Sequence, residues 1–315
     1  MWPRLQVPGT FETALVQNVL HGRAHTPEEW FEYLDRFHTA VPNANETLFG
    51  LLNAVGGRST YATVARAVAA TKARRVLDLG CGGGYLMHDL LAACSPTATF
   101  DGVDMCEAEI EVARAAFPAE PRVRFQRGRA EALASPDASY DAVAAHQFFN
   151  FLPDPYPALA EAHRVLRPGG TLIFAANQAT KYFPDIVAQR LFRAAADVVV
   201  GHFPDYRPAK TYDERIYQDA GILELLRDAG FDPETVTIEK YSFGAALTPQ
   251  EAAAVVARFY IVASTPYVDE VLAAAESLSR SIAAENGSDR VAFELPFRIV
   301  RARKPGRPPA ATSAR

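Results

Sequence analysis

The sequence predicts an α/β fold: a doubly wound, mostly parallel sheet of seven strands, preceded by a helical segment and interrupted by helical insertions. Three observations carry this. Val76-Leu77-Asp78-Leu79 is a short apolar run of the kind buried in a parallel sheet. It breaks into Gly80-Cys81-Gly82-Gly83-Gly84, and the pattern from Tyr85 to Leu91 then reads as a helix. Glycine lets a chain turn with positive φ and lets a ligand approach the main chain. Finally, strand and helix patterns alternate from Val76 to Ala175, as crossovers between parallel strands require.

Ahead of the glycine run, Phe11 to Leu20 puts Phe11, Leu15, Val16 and Val19 on one helical face. Thr26-Pro27-Glu28-Glu29 has the form of a capping box with proline at the first helical position. The helix it opens carries Trp30, Phe31, Leu34 and Phe37. Asn45 to Val55 reads as a third helix, stopped by Gly56-Gly57. Residues 1–57 are therefore expected to be a helical cap, either packed against the sheet or acting as a lid. Ser59 to Ala70 is the helix that leads into the first strand, and a core of residues 58–303 begins there.

The second strand, Ala98 to Val103, ends at Asp104. Glu107 to Phe117 is a helix ended by Pro118, and Val123 to Gln126 is the third strand. Asp141 to Ala145 is the fourth strand, Pro157 to Leu166 a helix, and Pro168-Gly169-Gly170 a turn into the fifth strand, Thr171 to Ala175. An insertion of about 178–212 holds an apolar helix, Ile186 to Val200. Ile222 to Ala229, closed by Gly230, precedes a strand from Thr235 to Phe243. A second insertion of about 247–286 starts at Thr248 and includes a helix from Tyr267 to Ala284. Val291 to Arg301 is the last strand, and the Pro- and Ala-rich residues 304–315 are expected to be disordered.

The glycine run does not fit the dinucleotide pattern G-x-G-x-x-G, whose third glycine would fall on Tyr85 or Met87. What is present is D-x-G-x-G-x-G, with Asp78 inside the strand and Asp104 roughly 20 residues past the glycines, the spacing at which a carboxylate meets ribose hydroxyls. An acid at position 78 would repel a pyrophosphate but suits an ammonium group. With these features, VLDLGCGGG and GVDMC resemble the first two motifs of the class I S-adenosylmethionine-dependent methyltransferases, small-molecule type. The resemblance continues through GRAEAL, SYDAVAAHQFFNFLPDP and EAHRVLRPGGTLIFA, covering Val76 to Ala175.

The resemblance implies a Rossmann-like methyltransferase fold with S-adenosylmethionine as cofactor. The candidate cofactor-binding residues are Tyr61, Asp78, Gly80, Cys81, Gly82, Asp104, Met105, Ala130, Glu131 and His146. One departure stands out. The family form G-D-A is here Gly128-Arg129-Ala130, and arginine has no acceptor for an adenine amino group. That contact must come from elsewhere, with Glu131 or a main-chain carbonyl as the candidates.

Ligands of open α/β sheets bind beyond the carboxyl ends of the strands, so His146 to Phe151 sit where chemistry is expected. His146, Phe149 and Asn150 are the candidate catalytic residues. Imidazole titrates near neutrality and could serve as a base, or His146 could hold the methionine end of the cofactor. Phe148, Phe149 and Phe151 could face a sulfonium through cation–π attraction or pack as core.

Hydrophobic residues make up 49%, and the formal charge is -5 with a pI of about 5.8. An acidic chain lacks the basic footprint of a nucleic-acid binder. No run reaches the ~18 apolar residues of a membrane span, and the first residues lack the apolar core of a secretory signal. Cys81, Cys94 and Cys106 are odd in number and lack zinc-like spacing, which favours reduced thiols in a cytoplasmic protein without a structural metal. The expected activity is methyl transfer to a small molecule of natural-product metabolism, with residues 1–57 and the stretch from Lys181 to Tyr212 roofing the acceptor. An enzyme that cyclises the aminobutyl chain of S-adenosylmethionine, releasing methylthioadenosine, would use the same cradle, as would a binding protein without turnover. The sequence does not fix the acceptor or the oligomeric state.

Overall fold

The computed structural model describes residues 12–42, 44, 53–54, 57–179, 183–207, 213–257 and 265–306. Eight strands form one sheet: β1 (Asn53–Ala54), β2 (Arg75–Leu79), β3 (Thr99–Asp104), β4 (Val123–Arg127), β5 (Tyr140–His146), β6 (Leu166–Asn177), β7 (Asp232–Leu247) and β8 (Val291–Arg303). Their order is β1-β7-β8-β6-β5-β2-β3-β4. The ladders β4-β3-β2-β5-β6 are all parallel. The seven expected strands are present. The eighth is the two-residue β1, paired antiparallel with β7. Asn53 and Ala54 therefore lie in a strand, which corrects the helix expected to end at Val55; residues 45–52 lie outside the described part of the chain.

Ten helices are described: α1 (Ala14–Leu20), α2 (Pro27–Ala40), α3 (Thr60–Ala70), α4 (Tyr85–Ala93), α5 (Glu107–Ala116), α6 (Tyr156–Val165), α7 (Val187–His202), α8 (Asp219–Asp228), α9 (Pro249–Ala257) and α10 (Val268–Glu285). The chain divides into two compact units. One comprises Tyr61–Asn177, Tyr212–Lys240 and the residues from Arg298 onward, and the other Met1–Thr60, Gln178–Thr211 and Tyr241–Phe297. Strands β7 and β8 each begin in one unit and end in the other.

In the unit that holds the parallel strands, β2 is central. Val76, Leu77 and Leu79 are fully buried, because both sheet edges of β2 are occupied, by β3 and by β5. From β2 the chain winds outward to β3 and β4, then returns to the other side for β5 and β6. The strand order thus reverses between β2 and β5, and the crevice beyond the carboxyl ends of these two strands is where such sheets bind ligands. The turn expected at Pro168-Gly169-Gly170 lies inside β6. It is a local irregularity of that strand: pairing moves from Tyr140↔Leu166 to Ala142↔Thr171, so β6 advances five residues while β5 advances two.

In the other unit, the expected capping box is complete. Thr26 Oγ1 accepts from the Glu29 amide at 3.2 Å, and the Glu29 carboxylate accepts from the Thr26 amide at 2.8 Å. Trp30, Tyr33 and Phe37 are buried along α2; Trp30 stacks on Tyr33 with centroids 5.8 Å apart, and Tyr33 meets Phe37 at 6.1 Å with the rings tilted by 39°. Thr248 and Glu251 repeat the capping box at the start of α9. His202, the last residue of α7, lies flat on Tyr267 with centroids 3.5 Å apart, and its Nε2 is 2.8 Å from the Glu270 carboxylate.

Lys304, assigned from sequence to a disordered tail, is fixed. Its Nζ donates to the carbonyls of His163 (2.7 Å) and Leu166 (2.8 Å) at the end of α6, a position where a cation also meets the negative end of the helix. Residues 307–315 lie outside the described part of the chain.

Asp141 ties the amino ends of the central strands. Its Oδ2 accepts from the amides of Arg74 (3.0 Å) and Arg75 (2.9 Å), and its Oδ1 meets Arg167 at 2.5 Å. Burial alone would raise its pKa. The two amides and the Arg167 guanidinium outweigh this and hold it below 3.8. A depressed carboxyl pKa stabilises the fold above the unfolded value and loses that effect as the pH falls through the folded one. Asp141→Asn should therefore cost about 1–2 kcal/mol at neutral pH. The deficit, read from urea midpoints across pH, should close as the pH falls through 3.8 and below.

Candidate active site

The glycine run connects β2 to α4 through a tightly held loop. The Val103 carbonyl, on the neighbouring strand, accepts from the amides of Gly80 (2.8 Å) and Cys81 (3.0 Å). Gly80, Gly82 and Gly84 have φ of +70°, +48° and +88°, the left-handed region that glycine enters without strain. Gly80 is constrained a second way: a Cβ there would collide with the ring of Phe148, which lies over it. The carboxyl ends of β2 and β5 are thus in direct contact at the switch point. Gly84 caps α4, whose first turn has no side-chain cap.

At the end of β3, the Asp104 carboxylate spans two backbone donors. Oδ2 accepts from Gly82 (3.0 Å) and Oδ1 from Cys106 (2.9 Å). The acid is thereby held against the glycine loop. Asp78 lies within β2, 1% exposed. Cys81 is buried, its Sγ 3.6 Å from the Gly82 carbonyl. Met105 is half-buried, and its carbonyl accepts from Arg127 Nε at 2.9 Å. Ala130 is buried at the exit of β4, while Glu131 forms an ion pair with Arg129 at 3.4 Å. The arginine that replaces the expected acid is thus engaged by the acid that follows it.

On β5, His146 is 8% exposed and stacks on Tyr61, with centroids 3.8 Å apart at 26°. Tyr61 also meets Tyr85, which is at the start of α4, at 6.1 Å. Residues from α3, α4 and β5 therefore converge beside the glycine loop. The near-neutral titration expected of His146 is not found: burial lowers its pKa to about 3. It is a neutral ring and a weak base at physiological pH, whereas the general-base reading assumed titration near neutrality. Phe149 is likewise corrected as a catalytic candidate. It is 1% exposed and packs edge-to-face against Phe148 and Phe174, at 5.2 and 5.0 Å, as part of the core. Asn150 is 1% exposed.

Sequence reasoning missed three residues of this region. Gln147 has φ of +51°, which nothing in its residue type announces. The Tyr217 hydroxyl donates to the Asn150 carbonyl at 2.9 Å. Arg298, 5% exposed, donates to the Tyr217 carbonyl at 2.7 Å and pairs with Asp219 at 2.6 Å. The one available signal was a lone arginine inside the apolar run Leu295 to Val300.

The family model described as a methyltransferase domain matches residues 77–174. These residues form a class I S-adenosylmethionine-dependent methyltransferase domain. The methyltransferase domain therefore spans β2 to β6, and the glycine loop, Asp104 and His146 all belong to it. Among curated proteins, an uncharacterised 37.1 kDa protein in transposon TN4556 of Streptomyces fradiae is 33% identical over 168 residues, covering 52% of this chain and 49% of that protein. A ubiquinone biosynthesis O-methyltransferase of Alkalilimnicola ehrlichii is 35% identical over 114 residues, covering 36% and 45%. The chain thus spans about half the length of the curated relatives it matches. The solved [4+2]-cyclase SpnF shares the fold, with a TM-score of 0.54 over 87% of this chain and 96% of that one, at 19% identity.

The cofactor of this methyltransferase domain is S-adenosylmethionine, and the residues present fit it. The glycine loop closely adjoins an aspartate held by backbone amides, and the acid in β2 is compatible with an ammonium group but not with a pyrophosphate. Among the described residues no group of three or more His, Cys, Asp or Glu could hold a metal, and no helix is long and apolar enough to cross a membrane.

His146 makes a testable contribution to acid sensitivity. Its folded pKa of about 3 lies below the ordinary value of 6.5, so the unfolded chain takes up a proton first as the pH falls. Its stabilising effect is complete above pH 6.5 and is lost on descent towards 3. His146→Gln should flatten the pH dependence of the urea midpoint in that window.

Proposed function

We propose that the protein transfers a methyl group from S-adenosylmethionine to an oxygen of a small molecule in natural-product biosynthesis. The observation that carries this reading is the Asp104 carboxylate held against the glycine loop at the end of β3, beside the switch point. Bound there, S-adenosylmethionine supplies an electrophilic methyl on a sulfonium. In this reading Asp104 accepts the ribose hydroxyls, the main chain of Gly80 to Gly82 lines the cofactor, and Asp78 supplies negative charge towards its ammonium. Met105, Ala130 and Glu131 flank the adenine. Tyr61 and the neutral ring of His146, stacked on each other, form a wall that accepts a sulfonium. Such a site works by positioning, since a fixed geometry contributes ~7–11 kcal/mol to a bimolecular step.

An oxygen acceptor is supported by relatives named as O-methyltransferases of ubiquinone biosynthesis and of malonyl-[acyl-carrier protein]. Three cysteines, odd in number and without zinc-like spacing, support a reducing, cytoplasmic location. As the oxygen takes the methyl, the carbon–sulfur bond breaks, S-adenosylhomocysteine leaves and the hydroxyl proton passes to solvent; a ring with a pKa of about 3 is too weak a base to take it, so the rate should carry no ionisation near 6.5 that His146→Gln removes.

The test is to incubate the protein with S-adenosylmethionine and hydroxylated acceptors and to identify the nucleoside released. S-adenosylhomocysteine that requires an acceptor supports the proposal. Methylthioadenosine released from S-adenosylmethionine alone would replace it with cyclisation of the aminobutyl chain. Asp104→Asn should weaken cofactor binding by calorimetry by about 1.5–3 kcal/mol, the scale of hydrogen bonds to a charged group.

A further inference from the structure

We infer that the side-chain amides of Gln147 and Asn150 form the recognition site for the acceptor, a small molecule carrying two neighbouring hydroxyl groups. The inference rests on the methyl-transfer reading above and names the acceptor's chemistry. Gln147 is 5% exposed and Asn150 1%. Neither the nitrogen nor the oxygen of either amide has a hydrogen-bond partner. Buried polar groups are almost always paired, and each one left unpaired has a real cost. Here four such atoms lie within four residues.

Backbone strain falls at the same place. Gln147 holds φ at +51°, a conformation that costs a non-glycine residue free energy and persists only where the surroundings enforce it. The surroundings do so. Its amide donates to the Ala175 carbonyl at 2.9 Å, and Phe148 is set over Gly80. The turn that follows is held through its carbonyl: Asn150 O accepts from Tyr217, and buried Arg298 secures Tyr217. The main chain of the segment is thus held at the Gln147 amide and at the carbonyls of Phe148, Phe149 and Asn150, while both amide side chains are left over. The segment that carries them follows the carboxyl end of β5, and Phe148 between them lies over Gly80 of the glycine loop, at the switch point where ligands of such sheets bind.

An amide offers a donor and an acceptor together. A hydroxyl satisfies both halves, accepting from the NH₂ and donating to the C=O. Two amides call for two hydroxyls. A site built this way rejects an analogue that lacks one of them, because the unmatched amide stays unpaired.

The test uses Gln147→Leu and Asn150→Leu, which are apolar and of similar size, with catechol and phenol as probes. Both probes are titrated by NMR into the full chain saturated with S-adenosylhomocysteine. The wild type should bind catechol at least tenfold more tightly than phenol, and each variant should bring that ratio near one. Affinity for S-adenosylmethionine should stay within twofold, and urea midpoints should be unchanged or raised, since the leucines remove unpaired buried groups. A lower midpoint in both variants would make the amides structural and overturn the inference. So would a tenfold loss of S-adenosylmethionine affinity, or no preference for catechol in the wild type. A wild type that does not bind S-adenosylmethionine would instead overturn the methyl-transfer reading.

Discussion

The carbonyl of Val103 receives two amide hydrogens from the loop that leaves β2, those of Gly80 and Cys81. The candidate site depends on this junction. It fixes the glycine loop to the second strand, and Asp104, the next residue, reaches back to Gly82. From the other side, Phe148 closes on Gly80. Three strand ends are drawn together by groups of which only one, the Asp104 carboxylate, is ionisable. The hydrogen bonds are mostly main-chain, so the arrangement needs backbone conformations more than particular side chains. That is why glycine is the residue repeated here.

Much of this was legible in the sequence, because period and spacing report on strands and turns directly. The apolar run of β2, the glycine run and the acid after β3 fall where expected. So do the capping boxes at Thr26 and Thr248, although only the first was read as one. What was not legible came from contacts between distant residues. The sequence explains glycine at position 80 by a positive-φ turn and by ligand approach; the structure shows that turn and adds a phenylalanine 68 residues later that leaves no room for a side chain. The titration of His146 depends on burial that no local pattern encodes. Pro168-Gly169-Gly170 has the composition of a turn, but β6 absorbs it as extra residues against β5. Glycine is needed at position 170 because a Cβ would stand only 2.9 Å from the Arg167 carbonyl and 3.0 Å from that of Asp141.

The aromatic residues ahead of the core illustrate a second limit. Trp30, Tyr33 and Phe37 recur at helical spacing, and such a stripe reads equally well as the wall of a pocket or as packed interior. In the folded chain they are buried against one another. The charged residue in β8 was the opposite case. Arg298 interrupts an apolar strand, and its burial is supported by Asp219 and by the Tyr217 carbonyl. Removing such a cation's partner leaves a buried charge, which is why polar groups of this type come as sets.

The chain path through β7 and β8 sets the order in which the molecule can be completed during synthesis. Each compact unit is assembled from three separate stretches, and each unit needs part of both strands. The five parallel strands are contiguous in sequence through Asn177, yet β6 takes its outer neighbour from β8, and α6 is closed by Lys304. A nascent chain therefore carries a parallel sheet with an open edge until more than a hundred further residues have been made. Non-local pairing of this kind is slow, and an unpaired edge invites association with other chains. The demand on cellular folding helpers should accordingly fall late in translation, in the interval between the emergence of β6 and that of β8.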